Sequence, residues 1–218
     1  MSLPSPGAGG SVGVSFMNWL DRYHASRVHT RRVRVLAETA ARLLPPNVSV
    51  LDVGCGDGLL AATLGRLRPD LAITGVEIAP RPGCHIPVTA FDGQTLPFAD
   101  GSFDVTMIVD VLHHTDDPAI LFREVTRVAR TAVLLKDHLR EGWAAQSTLR
   151  FMDQVGNRRH GVPLPFNYLN RAEWDRLFTE RRLTVEVFDP VRQLYPWPAR
   201  LVFGRGLHFF ARLGKTSA

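Results

Sequence analysis

The chain has 218 residues, 45% of them apolar and 22% charged, which is enough for one sizeable core and ordinary for a globular protein. No apolar run approaches the roughly 18 residues of a membrane span, and Met1–Val14, built largely of Gly, Pro and Ser, lacks the basic start and apolar stretch of a signal peptide. The net charge of +5 is carried almost wholly by arginine, since Lys136 and Lys215 are the only lysines; that balance reads as a basic surface rather than a nucleic-acid footprint. The two cysteines, Cys55 and Cys84, sit in no C-x-x-C or Cys/His cluster, so a reduced, cytoplasmic protein is expected, with no zinc or other metal site.

Residues 1–15 read as a disordered tail, and 16–214 as a single domain. Within it, 16–44 is a helical region: Val33, Leu36, Ala37, Ala40, Leu43 and Leu44 form one apolar stripe at three- and four-residue spacing. Arg31, Arg32, Arg34 and Arg42 fall largely outside the stripe and read as a solvated face. Pro45-Pro46 ends the helix. Val48–Val53 is then a short buried strand, Leu59–Leu67 a helix, Ala72–Val76 a second strand, Val88–Phe91 a third and Phe103–Val109 a fourth. Pro118–Arg130 has helical periodicity, and Thr131–Leu135 is a fifth strand ending at Lys136-Asp137-His138. Residues 139–170 break the alternation and read as a long irregular insertion covering a site. Arg171–Glu180 is a helix capped by Asn170. Thr184–Phe188 is a sixth strand, and Val202–Phe210 a seventh with a glycine bend.

Strand, helix, strand, repeated, predicts an α/β fold: one doubly wound, Rossmann-like sheet, mostly parallel, of seven strands with the last antiparallel. Right-handed crossovers bring the strand C-termini to one edge, where ligands of such sheets bind. Gly54–Gly58, Glu77, Asp92, Asp110 and His138 are therefore expected to converge.

Gly54-x-Gly56-x-Gly58 follows a strand and opens a helix; glycine there admits close backbone approach to a ligand. Glu77, at the tip of the next strand, is placed to accept hydrogen bonds from both hydroxyls of a ribose. These features suit a nicotinamide dinucleotide as well, but the third glycine comes one residue earlier than in G-x-G-x-x-G. Asp52 and Asp57 beside the loop favour a cationic ligand and repel a pyrophosphate.

With those residues in place, Val50-Leu51-Asp52-Val53-Gly54-Cys55-Gly56-Asp57-Gly58 closely resembles the first motif of class I S-adenosylmethionine (SAM)-dependent methyltransferases. Thr74–Ile78 resembles the second motif, and Asp92–Val105 the third and fourth. Val109-Asp110-Val111-Leu112-His113-His114, followed by Asp117-Pro118, is similar to the type 11 subgroup and its quinone-biosynthesis C-methyltransferases. The resemblance implies SAM as cofactor and S-adenosylhomocysteine as product. It places Gly54, Cys55 and Gly56 along the methionine and ribose, and Asp52 in support of the loop or the amino group. Glu77 would hold the ribose hydroxyls, Ile78 the adenine face, and Asp92 with Gly93 the adenine amino edge. Asp110 and Val111 would border the sulfonium, with His113 at the acceptor entrance.

The reaction class needs an acceptor in line and, for an un-ionised hydroxyl or amine, a base. His113, His114 and His138 are the candidate catalytic residues, with Asp137 as orienter. Trp143, Phe151, Phe166 and Tyr168 are candidates for an aromatic acceptor pocket, with Trp143, Phe166 and Tyr168 the leading three. A small-molecule acceptor methylated on oxygen or carbon is the favoured reading. The absence of an Asn/Asp-Pro-Pro-aromatic signature after the fourth strand disfavours nucleic-acid N-methylation, although the arginine-rich helix keeps RNA in view. A non-catalytic SAM-binding protein is the other alternative. Leu194–Trp197 and Leu201–Phe203, with Arg200, Arg205 and Arg212, offer a weak lipid contact.

Overall fold

The structure, a computed structural model, describes residues 12–157, 165–191, 194–195, 197, 199–204 and 206–216. Most of the expected tail, the turn-rich 161–164 and part of the C-terminal apolar stretch lie outside these residues. Elements follow in the order α1 (Val12–Leu43), β1 (Ser49–Val53), α2 (Leu59–Leu67), β2 (Ala72–Glu77), β3 (Val88–Ala90), β4 (Phe103–Val109), a 3₁₀ turn (Leu112–His114), α3 (Pro118–Val128), β5 (Ala129–His138), α4 (Ala145–Asn157), α5 (Arg171–Glu180), β6 (Leu183–Pro190), α6 (Ala199–Phe203) and β7 (His208–Lys215).

The seven strands form one sheet in the order β3-β2-β1-β4-β5-β7-β6. The first five are parallel, while β7 inserts antiparallel between β5 and β6. Side chains alternate across the sheet because strand period is two. Leu51, Val53, Ile108, Val133 and Leu135 join a core with Phe122 and Val125 of α3 and Trp174 and Phe178 of α5. Val50, Val105, Met107 and Leu134 face the other way, onto Leu36, Ala37 and Ala40 of α1, Leu44 just past its end, and Leu64 of α2. The stripe on α1 is thus the face that covers the sheet.

Two expectations are corrected. The strand expected over Val202–Phe210 begins later: Val202 and Phe203 close α6 (Ala199–Phe203), and β7 starts only at His208. The inner strand is instead the run with Phe209, Phe210, Ala211 and Leu213, which is buried on both sides of the sheet, as an inner strand demands. The insertion 139–170 is also less irregular than expected, since it contains α4. Ala145, Leu149 and Met152 recur on one face of α4, with Leu149 fully buried against Tyr168 and Leu207.

The junction after α1 is held by one side chain. Arg68, just past α2, donates to the carbonyls of Ala41, Leu44 and Pro45 and pairs with Asp70. It thereby satisfies orphan carbonyls at the end of α1. Arg68→Ala is expected to lower stability by about 1–3 kcal/mol, with Arg68→Lys recovering less than half, as measured by urea unfolding.

Candidate active site

Parallel β1 and β4 are neighbours whose following segments leave in opposite directions, which opens a crevice at their C-terminal ends. Gly54 stands at the end of β1 with φ +70°, and a Cβ there would lie 2.5 Å from Val111 Cγ2. No other residue fits, because Val111 follows β4 at the same level. Gly56, at φ +60°, has nothing within 4 Å of where a Cβ would be, so its backbone faces open space.

The acidic residues frame that space. Glu77 accepts from the Gly56 N–H at 2.7 Å and from the Ile78 N–H at 2.8 Å, so the tip of β2 braces the glycine loop. Ile78 is 63% exposed, an uncovered aliphatic face beside Gly93, whose Cβ position lies 3.0 Å from Ile78 Cδ1. Asp92 is exposed and accepts from the Gln94 and Thr95 N–H groups, which hold its carboxyl below its ordinary pKa. Asp57 accepts from the Leu59 N–H at the start of α2. Cys55 packs against Gly75 with its thiol pushed up to about 12, by burial first and then by Asp52. Asp52 itself is 2% exposed, and one of its oxygens has no partner among the described residues. Burial, and then Glu77, push its pKa up to about 7.

A second cluster lies on the β4 and β5 side. A cavity of about 170 Å³ is lined by Arg32, Asp110, His113, His114, His138, Met152, Asp153 and Tyr195. His113 is 2% exposed; its Nδ1 lies 2.7 Å from Asp137 Oδ1 and its Nε2 3.5 Å from Asp153 Oδ2. Burial alone would lower the His113 pKa, but Asp137 outweighs it and the net direction is up. His138 donates its backbone N–H to Asp137; burial, then His113, push its ring down to about 4. His114 is lowered by burial and by His113. Its ring therefore stays neutral beside His113, with centroids 4.0 Å apart.

Asp110 adopts a left-handed backbone (φ +57°) and is gripped by Arg32 at 2.5 Å and by the fully buried Lys136. These cations, Lys136 ahead of Arg32, overcome the effect of burial and hold Asp110 well below the usual carboxylate range. Arg32 is thus no solvated residue: the arginine face of α1 contributes one side chain to the site. Asp110 also points to this cavity, while Val111 alone meets the glycine loop.

The aromatic expectation is corrected as well. Trp143 is 93% exposed and Phe151 56%, so neither forms a wall. Tyr168 is buried, 5.6 Å ring to ring from both His113 and His138, and its hydroxyl donates to Asp153. Phe166 packs one layer further out, under Arg150. Arg32, Lys136, Asp153 and Tyr195 complete the site without having been singled out in the sequence. Only Lys136, a lysine inside an apolar strand, gives a local signal, since buried lysine requires a partner.

Residues 51–135 match the family model described as a methyltransferase domain. Over these residues the chain is similar to class I SAM-dependent methyltransferases of type 11. Over 106 residues it is 34% identical to 2-methyl-6-phytyl-1,4-hydroquinone methyltransferase from Synechocystis, which spans 42% of this chain and 32% of that protein. Over 113 residues it is 31% identical to ubiquinone biosynthesis O-methyltransferase from Albidiferax ferrireducens, covering 46% and 40% of the two. The chain therefore spans well under half the length of these relatives. A chain of the complex between the Haloferax volcanii Trm112 methyltransferase activator and a methyltransferase superposes with a TM-score of 0.70 at 15% identity. The overlap covers 92% of this chain and 97% of that one, and it shows the shared methyltransferase fold.

The raised pKa of Asp52 makes a pH prediction for this methyltransferase domain. A carboxyl held near 7 when folded, against 3.8 as a free side chain, binds its proton more tightly in the native state. The unfolded state ionises first, so stability falls as pH rises from about 4 to 7 and levels off above. Thermal unfolding of the ligand-free wild type against Asp52→Asn should show the two converging at low pH and the wild type losing ground towards pH 7.

Proposed function

We propose that this chain binds SAM in the Gly54–Gly58 crevice and methylates an oxygen of a small, polar acceptor held in the adjoining cavity. The cradle supports the cofactor by its chemistry. The Gly56 backbone is open, Asp52 offers a buried oxygen without a partner, and Ile78 is uncovered for a flat ring. Carboxylates without counter-cations suit a sulfonium and an amino group, and oppose a pyrophosphate. Glu77, Asp92 with Gly93, and Asp52 would hold the ribose, adenine edge and amino group respectively.

When bound, SAM supplies an electrophilic methyl, and transfer to a hydroxyl oxygen leaves S-adenosylhomocysteine and one proton to place. The observation that carries the oxygen reading is the His113–Asp137 pair at the cavity wall. Asp137 accepts from Nδ1–H and so fixes the tautomer in which Nε2 bears the lone pair. That atom accepts the hydrogen bond of an acceptor hydroxyl and then its proton. Arg32 and Asp110 supply polar contacts to the rest of the acceptor. His138, held neutral, orients His113 from 3.2 Å, and His114 lines the wall.

The cavity is polar, which fits a hydroxylated ring better than a prenyl chain. One relative's name specifies O-methylation, which supports a hydroxyl acceptor; another's contains a hydroquinone and does not say which atom is methylated. Among the described residues no helix is long and apolar enough to cross a membrane. We place the protein in the cytoplasm, where its two unpaired cysteines would remain reduced.

Calorimetry should show SAM binding at 1:1, weakened roughly 10- to 150-fold by Glu77→Ala, as loss of a charged hydrogen-bond acceptor implies. With a panel of phenols and sugar alcohols, His113→Gln should lose about 100-fold or more in turnover with SAM affinity unchanged. Binding of SAM without S-adenosylhomocysteine formation on any hydroxylated acceptor would favour the non-catalytic reading.

A further inference from the structure

We infer that the cavity holds a divalent transition-metal ion, bound by His113, His114 and Asp153. One ligand atom from each of the three lies within 4.8 Å of the others. His113 Nε2 and Asp153 Oδ2 are 3.5 Å apart. Two ligands on a tetrahedral ion with bonds of about 2.0–2.2 Å lie roughly 3.3–3.6 Å from each other, so this pair is already at ligand spacing. His114 brings an imidazole whose Nδ1 is buried and has no hydrogen-bond partner among the described residues. Two imidazoles and a carboxylate form a donor set suited to zinc and its neighbours.

The supports behind these ligands are of the kind metal sites use. Asp137 takes the His113 Nδ1–H and turns Nε2 outward; the Tyr168 hydroxyl donates to Asp153 and fixes its carboxylate. Carboxylate–histidine pairs and hydrogen-bonded carboxylates of this type orient ligands and raise their basicity. The neighbouring group Asp110, His113, Asp137 and His138 is also compact, but it is closed by its own contacts. His113 and Asp137 are hydrogen-bonded at 2.7 Å, and Asp110 is taken by Arg32 and Lys136. That leaves His113, His114 and Asp153 as the open donor set, in a cavity whose wall also carries Arg32, itself engaged by Asp110.

Three protein ligands leave a fourth position facing the cavity, the arrangement of catalytic rather than structural sites. This part of the inference rests on the proposed function, since it needs the acceptor in the cavity. With the ion bound, the His113 Nε2 lone pair is a ligand and a hydroxyl oxygen coordinated at the fourth position gives up its proton to water more readily; His113 is the base only in the metal-free chain. The expectation of no metal rested on the cysteines; these ligands are two adjacent histidines and an aspartate 39 positions further on.

The full chain, dialysed against EDTA, is titrated with Co²⁺ and with Zn²⁺, without SAM or acceptor, so the result is independent of methyl transfer. One Co²⁺ per chain with visible d–d absorption, displaced by Zn²⁺, is expected. Asp153→Asn, which preserves the Tyr168 contact, and His114→Gln should each weaken binding about tenfold or more. SAM calorimetry on the same variants serves as the check on folding. No stoichiometric binding at micromolar ion, or binding equal in wild type and both variants, overturns the inference and leaves the SAM reading intact.

Discussion

The arrangement of the site depends on one carboxylate. Asp110 ends β4 in a left-handed conformation, which costs of order 1–3 kcal/mol for a residue other than glycine. Arg32 from α1 and Lys136 from β5 pay that cost by closing on it from two sides. Lys136 is fully buried, and a buried cation without its partner is among the most expensive defects a core can contain, about 3–5 kcal/mol. The ion pair therefore does more than neutralise charge. It ties the first helix, the central strand and the fifth strand at the point where the chain turns into Val111 and the histidines. Val111 then abuts Gly54, so the geometry of Asp110 is passed directly to the glycine loop.

Much of this was legible in order along the chain. The β1 strand, the glycine loop, α2, β4 and α5 are dictated by local signals: short apolar runs, glycines at the turn, a capping Asn170. Glu77 and Asp92 could be placed from strand ends alone, because parallel strands deliver their C-termini to one edge. Asp137 could be named as orienter because it precedes His138 at such an end. What escaped the sequence is long-range. Arg32 sits on a helix face rich in arginine, and nothing local distinguishes the one residue that meets a carboxylate 78 positions away. Asp153 lies in α4, where the apolar positions Ala145, Leu149 and Met152 are interrupted by polar ones. β7 was expected to start at Val202 because Val202-Phe203 is as apolar as a strand; what makes His208–Lys215 the strand is pairing with both β5 and β6.

The aromatic pocket failed for a related reason. Trp143 and Phe151 look like walls in a sequence because large apolar side chains are usually covered, yet both are exposed. Apart from Met152 and Tyr195, the side chains that line the cavity are charged groups or imidazoles, and only their burial reveals it. Three histidines, two aspartates and an arginine around about 170 Å³ leave little apolar surface. Such a space recognises a ligand by hydrogen bonds and charge, and rejects analogues that leave those groups unpaired.

The two halves of the crevice therefore differ in electrostatic state, although both are rich in carboxylates. On the β4 and β5 side each acid has its partner: Asp110 has Arg32 and Lys136, Asp137 has His113, and Asp153 has Tyr168. On the β1 and β2 side Asp52 faces Glu77 with no cation between them, and its proton is retained to about pH 7. A cation arriving there converts a repulsive pair into an attractive one, which a neutral ligand could not do. Val111 and Gly54 are the partition between the halves. The charge left unbalanced on one side and the balanced, basic wall on the other are what a positively charged methyl donor and a hydroxyl acceptor would each require.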